Sequence, residues 1–204
     1  MSEAPSPEIV TRVEKLLGWA PESWRPVFGG YTPTARFVVT AGGRTGFVKI
    51  ATTEITAKQI NREIVAYSGI SGSFVPRLLG AEPHPTTPIL IIEDLSTAIW
   101  PPPWTDALLG QVLDAVAAMH RTSTDLARGG LLHGRDAGWP SVAANPEPFL
   151  SLGPVSSRWL EHALPALLAA EAACELIGDA LTHLDLRSDN LCVTPERGKV
   201  HRLG

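Results

Sequence analysis

The chain has 204 residues, enough for one large domain or two small lobes. With 44% hydrophobic, 19% charged and 6% aromatic residues it is neither a disordered tail nor a fibrous repeat, and no run approaches the roughly 18 apolar residues of a membrane span. Seventeen Lys and Arg against 21 Asp and Glu give a net charge of −4, which argues against nonspecific binding to a nucleic-acid backbone, so neither nucleic acid nor membrane is an expected partner.

Taken in chain order, Met1 to Glu8 is polar and acidic and lacks the features of a secretory signal. Together with the two cysteines, Cys174 and Cys192, too far apart for a CxxC unit and too few for a disulfide framework, this points to a reducing, cytoplasmic location. Ile9, Val10, Val13, Leu16 and Leu17 recur at helical spacing before Gly18. Arg36 to Thr40 and Gly46 to Ile50 read as a hairpin joined across Gly42-Gly43. Ile60, Ile64 and Tyr67 mark a helix from about Ala57 to Ser68, and Ile89 to Ile92 reads as a buried strand.

Pro101-Pro102-Pro103 is the strongest break, and a lobe boundary is expected there. Beyond it, Thr105 or Asp106 can cap a helix whose apolar face carries Leu108, Leu109, Val112, Leu113, Val116 and Met119. Gly129-Gly130 reads as a break and Gly134 to Pro154 as loop. Ser157 to Gly178 reads as helix, with Pro165 as either a kink or a new first turn. The expected fold class is α+β, with a β-rich N-terminal lobe over residues 1–95, hinge included, and a mainly helical second lobe over 96–204.

The residues most suited to chemistry lie in Leu181-Thr182-His183-Leu184-Asp185-Leu186-Arg187-Ser188-Asp189-Asn190-Leu191. An aspartate and an asparagine five positions apart, on a loop entering a strand, can divide two tasks of phosphoryl transfer. Asp185 would orient and deprotonate an acceptor hydroxyl, and the Asn190 amide oxygen would bind a magnesium ion bridging nucleotide phosphates. His183 is better suited to hydrogen-bonding the loop backbone than to acting as a base.

In the first lobe, Lys49 sits mid-strand on the same face as Phe47 and Ala51, where a buried ammonium needs a counter-ion or a phosphate. Glu63 lies within the apolar stripe of the next helix, where an unpaired carboxylate is costly. Each of these misplaced charges can be the partner of the other. Gly29-Gly30-Tyr31-Thr32-Pro33-Thr34 can form a turn that lets backbone approach phosphate oxygens, or merely a turn. The strand ending in Glu93-Asp94-Leu95 suits a hinge whose main chain would hydrogen-bond adenine.

These elements, in this order, resemble the aminoglycoside phosphotransferase and choline kinase-like family, which shares the protein-kinase fold. The matching segments are Gly-Gly-Tyr-Thr-Pro, Phe-Val-Lys-Ile-Ala, the helix glutamate, Ile-Ile-Glu-Asp-Leu, Ala-Met-His-Arg and His-Leu-Asp-Leu-Arg-Ser-Asp-Asn, from about Phe28 to Val193. The resemblance implies an ATP or GTP site between lobes, with Lys49 and Glu63 as an ion pair, Asp185 as base, Asn190 on magnesium, and a small-molecule hydroxyl as acceptor. It also implies a second metal-binding aspartate after the loop, yet no aspartate follows Asn190, and Lys199 to Gly204 resembles the strand that would lead to it. The expectation is therefore a C-terminally truncated family member with impaired transfer, the alternative being a noncatalytic nucleotide-binding or interaction module. Other chemistries fail on their motifs, since the chain has no Ser-x-x-Lys, no Gly-x-x-x-x-Gly-Lys and no zinc spacing among its histidines.

Overall fold

In a computed structural model of the chain, which describes residues 5–30, 32–122, 138–174, 180–183, 185–194 and 199–202, the first helix begins and ends at residues chosen for it. Helix α1 (Pro7–Leu17) opens with the Ser6 hydroxyl accepting from Ile9 N, carries Pro7 at its first position, and closes on the left-handed Gly18. The expected hairpin is β2 (Ala35–Ala41) and β3 (Arg44–Ile50), turned by Gly42 and Gly43 at φ 54° and 77°, a conformation that costs glycine little.

These strands belong to a five-stranded sheet ordered β1-β2-β3-β5-β4, in which every neighbouring pair is antiparallel. Strand β5 (Ile89–Ile92) was legible in the sequence; β1 (Ser23–Pro26) and β4 (Leu78–Glu82) were not. Both of these are short and lie at the sheet's edges, and their half-buried residues owe their conformation to pairing more than to propensity. Alternation divides the sheet's side chains cleanly. Phe37, Val39, Val48, Ile50, Ile89 and Ile91 pack with Val13 of α1 on one face. Leu90 and Ile92 pack on the other face with Ala57, Ile60 and Ile64 of helix α2 (Glu54–Gly69), whose start is fixed by a reciprocal Thr53–Thr56 capping box.

The chain forms two compact units, Met1–Leu126 with Ala180–Gly204, and Ala127–Asp179. Besides the sheet, the first contains helix α3 (Asp106–His120), capped by the Thr105 hydroxyl, and the antiparallel pair β6 (Leu191–Thr194) and β7 (Lys199–Arg202). Val112 of α3 packs on Leu191 and Val193, and Met119 on Phe74 and Leu181. The α3 stripe read from the sequence is only partly covered: Val112 and Met119 are buried, whereas Leu109 and Leu113 are 50% and 60% exposed. Ile99 exchanges two backbone hydrogen bonds with Val193, of 2.8 and 2.9 Å, so the connector after β5 is stitched to the strand that follows the Asp185 loop.

The second unit holds α4 (Trp139–Ala144), α5 (Glu147–Ser151) and α6 (Ser157–Ala173). The segment expected to be loop thus contains two short helices. Their prolines occupy first-turn positions, where a missing N–H is harmless, so proline reads as helix start here and not as loop. The Glu171 carboxylate accepts from Trp139 N at 2.7 Å at the head of α4, and Trp139 meets Phe149 edge-on. Pro165 lies inside α6, which continues through it. Gly129-Gly130 and residues 175–178 lie outside the described residues. Among the described residues no helix is long and apolar enough to cross a membrane, and Cys174 and Cys192 do not form a disulfide.

Candidate active site

The first compact unit contains a cavity of about 740 Å³, within the range of small-molecule sites. Its walls come from the Gly-rich turn before β2, from β3 and α2, from the segment after β5 and from the loop before β6. Lys49, Glu63, Asp185 and Asn190 all line it. So do Gly29, Gly30 and Thr32 at one side and Glu93 and Leu95 at another. The sequence-derived candidates therefore converge on one space. Tyr31 and Leu184, which belong to the same motifs, lie outside the described residues.

Lys49 reaches this space because its strand register puts it on the α2 face, opposite Leu90 of β5 and Arg36 of β2. It is 5% exposed, and its Nζ donates to Glu63 Oε2 at 2.5 Å. Arg36 and Lys49, directly opposite on adjacent strands, form a like-charge pair that is unfavourable by itself. Glu63 offsets both: burial lowers the pKa of Arg36, and the negative charge of Glu63 acts against that shift.

The turn from Gly29 to Thr34 is gathered around the Arg36 guanidinium. Its Nη1 donates to Gly29 O at 2.9 Å, Thr34 O at 3.1 Å and Thr32 O at 3.5 Å, and its Nη2 to Thr32 Oγ1 at 3.2 Å. Gly30 has φ 79°, a conformation that favours glycine, and a Cβ there would lie 3.0 Å from Arg36 Nη2, close enough that the guanidinium would have to shift. The Thr52 hydroxyl also donates to Pro33 O, tying the turn to the end of β3.

After β5 the main chain is committed in part. Glu93 N donates to Arg77 O and Arg77 N donates to Glu93 Oε1, both at 2.9 Å, so the Glu93 side chain braces β4 although the residue borders the cavity. Leu95 O accepts from Ala98 N at 3.0 Å and from Trp100 Nε1 at 3.1 Å. Trp100 is thereby held at the connector and also borders the cavity.

In the loop before β6, His183 Nδ1 accepts from Asp185 N at 2.8 Å, the backbone role its position suggested. Asn190 Nδ2 donates to Asp185 Oδ2 at 2.9 Å and to Asp185 O at 3.0 Å. Arg187 bridges two carboxylates, with Nε 3.1 Å from Asp185 Oδ1 and Nη2 3.0 Å from Asp189 Oδ2. Sequence reasoning missed Arg36 and Arg187. For Arg36 the available signal was register, since a hairpin pivoting on Gly42-Gly43 pairs it with Lys49.

The residues present suit a magnesium ion of a particular kind. The Asn190 amide nitrogen is spent on Asp185, which leaves its oxygen as the group able to ligate a hard cation. Among the described residues no group of three His, Cys, Asp or Glu side chains could hold a metal ion. Such a site fits an ion held jointly by one or two protein oxygens and substrate phosphates, the usual habit of magnesium, and not an all-protein metal cage.

Comparison with solved structures shows the same fold at low sequence identity. A thermostable mutant of aminoglycoside phosphotransferase APH(4)-Ia is 17% identical with a TM-score of 0.57, the match covering 94% of this chain and 68% of that one. Spectinomycin phosphotransferase APH(9)-Ia, in complex with ADP and spectinomycin, is 13% identical with a TM-score of 0.62, covering 100% and 69%. Aminoglycoside-3'-phosphotransferase of type VIII is 21% identical with a TM-score of 0.54, covering 95% and 73%. Comparison with curated proteins gives no match. The fold is thus the α+β, protein-kinase-like fold that the sequence motifs implied. A family model, the phosphotransferase enzyme family (APH), matches residues 23–201, most of the chain. On that match, the chain belongs to the phosphotransferase enzyme family.

Proposed function

We propose that this chain binds ATP or GTP with magnesium in the 740 Å³ cavity and transfers the γ-phosphoryl group to a hydroxyl of a small molecule. The observation that carries the reading is the convergence of the Lys49–Glu63 pair and the Asp185/Asn190 loop on one cavity. Solved structures of the same fold hold ADP with spectinomycin, or ADP with hygromycin B, which supports a nucleotide and a small-molecule acceptor as the two substrates. Fold does not fix the acceptor.

In this reading residues 1–95 are the nucleotide-binding lobe and 96–204 the catalytic-loop lobe. The hinge would meet the base through the main chain of Glu93 to Leu95, although Leu95 O already accepts from Ala98 N and Trp100 Nε1. Lys49, held by Glu63, contributes positive charge to the α- and β-phosphates. Gly29, Gly30 and Thr32 offer a turn close enough for phosphate oxygens. Asp185 orients the acceptor hydroxyl and takes its proton as the oxygen attacks the γ-phosphorus, whose bond to the β–γ bridging oxygen breaks to release ADP or GDP. Asn190 holds that carboxylate through its amide nitrogen and presents its oxygen to the metal. When bound, magnesium supplies charge neutralisation across the phosphates.

The test is transfer from γ-labelled ATP and GTP to a panel of hydroxyl acceptors, with Asp185→Ala beside the parent. The variant should lose transfer by about 10²- to 10⁴-fold, the usual worth of a positioned base, while nucleotide affinity holds. A variant with parental activity would remove Asp185 from its role. A second reading, a noncatalytic nucleotide-binding module, draws on the engagement of both Asp185 oxygens by Arg187 and Asn190. It would be supported by magnesium-dependent binding without transfer to any acceptor.

A further inference from the structure

The cavity has a residue whose work is done on other groups of the site. We infer that Arg36 is the positioning residue of the phosphate-facing turn: its guanidinium fixes the backbone at Gly29, Thr32 and Thr34 in the arrangement that receives phosphates. The inference rests on the nucleotide-site reading above and adds to it a residue that no motif marks.

Arg36 Nη1 donates to the carbonyls of Gly29, Thr32 and Thr34 and Nη2 to the Thr32 hydroxyl, so one guanidinium holds Gly29, Thr32 and Thr34 together. A backbone carbonyl left unpaired beside a phosphate would repel it. Pairing these carbonyls with a cation that itself borders the cavity removes that repulsion. The position of the cation is itself fixed, because Arg36 stands opposite Lys49 in the β2–β3 register and shares the field of Glu63. Gly30 completes the device, since a side chain there would meet the guanidinium at 3.0 Å. Lysine would not reproduce the full set, because its lone nitrogen has no counterpart to the Nη2 that holds the Thr32 hydroxyl.

A positioning role and a general structural role separate in one experiment on the whole chain. Affinities for magnesium-ATP and for adenosine are measured by calorimetry on the parent, Arg36→Lys and Arg36→Met, with melting temperature recorded for each. The parent should bind magnesium-ATP more tightly than adenosine, the gap reporting what the phosphates contribute. Both variants should close that gap by about tenfold or more, as expected when charged hydrogen bonds that shape a site are lost, with adenosine affinity held within about twofold. A gap that survives in Arg36→Met overturns the inference. So does a parallel loss of ATP and adenosine affinity with a fallen melting temperature, which would assign Arg36 to stability alone. A parent that binds neither ligand would remove the nucleotide site itself, a failure distinct from parental ATP binding that is indifferent to Arg36.

Discussion

Glu63 is the residue whose removal the structure prices most clearly. Replacing it by alanine leaves Lys49, 5% exposed, without the carboxylate 2.5 Å from its ammonium, and leaves two cations facing each other across β2 and β3. At that separation and an effective dielectric constant of about 20, the gross attraction is roughly 6–7 kcal/mol. Desolvation of both partners offsets much of it, and Glu63 keeps 22% of its surface in water, so the loss should be about 3 kcal/mol. For a chain of this size that corresponds to a melting temperature lower by about 6–12 °C. Lys49→Met should cost less, because its orphaned partner can turn toward solvent. The double variant should cost less than the sum of the singles, with a coupling of roughly 1–3 kcal/mol. Urea denaturation of the four proteins, compared at constant slope, measures all three quantities. A Glu63→Ala variant within about 0.5 kcal/mol of the parent, the range of ordinary surface changes, would refute the reasoning.

Gly30→Ala should destabilise the chain by about 1–2 kcal/mol through its left-handed backbone and should weaken nucleotide binding by displacing the Arg36 guanidinium; a neutral effect on both would show that the turn is free to relax. Glu54, held below the usual carboxylate range by its hydrogen bond with Lys58 and by that charge, adds stability at pH above the ordinary glutamate value and loses it as pH falls through the depressed value. The difference in stability between the parent and Glu54→Gln should therefore be present at neutral pH, shrink with added salt, and vanish in acid; denaturation across pH would reveal a difference that persists, against this assignment.

The sequence made the site legible where it broke its own pattern. Lys49 and Glu63 stand out as charges placed among apolar residues, and the only physically cheap resolution is that they meet, as they do. Asp185 and Asn190 were legible by spacing, and the bond between them follows from a short 3-10 turn, Ser188–Asn190, that folds the amide back on the carboxylate. Arg36 was hidden because a basic residue near the start of a strand reads as solvent-facing; its function depends on a turn folding over it, which periodicity does not encode. Strands β1 and β4 escaped notice for a related reason, being edge elements whose conformation is imposed by their neighbours. At Leu109 and Leu113 the fault ran the other way: helical periodicity correctly gave an amphipathic helix but overstated how wide a stripe is covered in the described residues.

The proposed function requires one cavity to gather the amine, the two acids and the amide around a nucleotide. A crystal structure of the chain with magnesium and a nonhydrolysable ATP analogue tests it most directly. Phosphate oxygens are expected within hydrogen-bonding distance of Lys49 Nζ, with the metal on Asn190 Oδ1 and the γ-phosphate facing Asp185. A nucleotide seated on another surface, with Lys49 and Glu63 still paired and untouched, would contradict it.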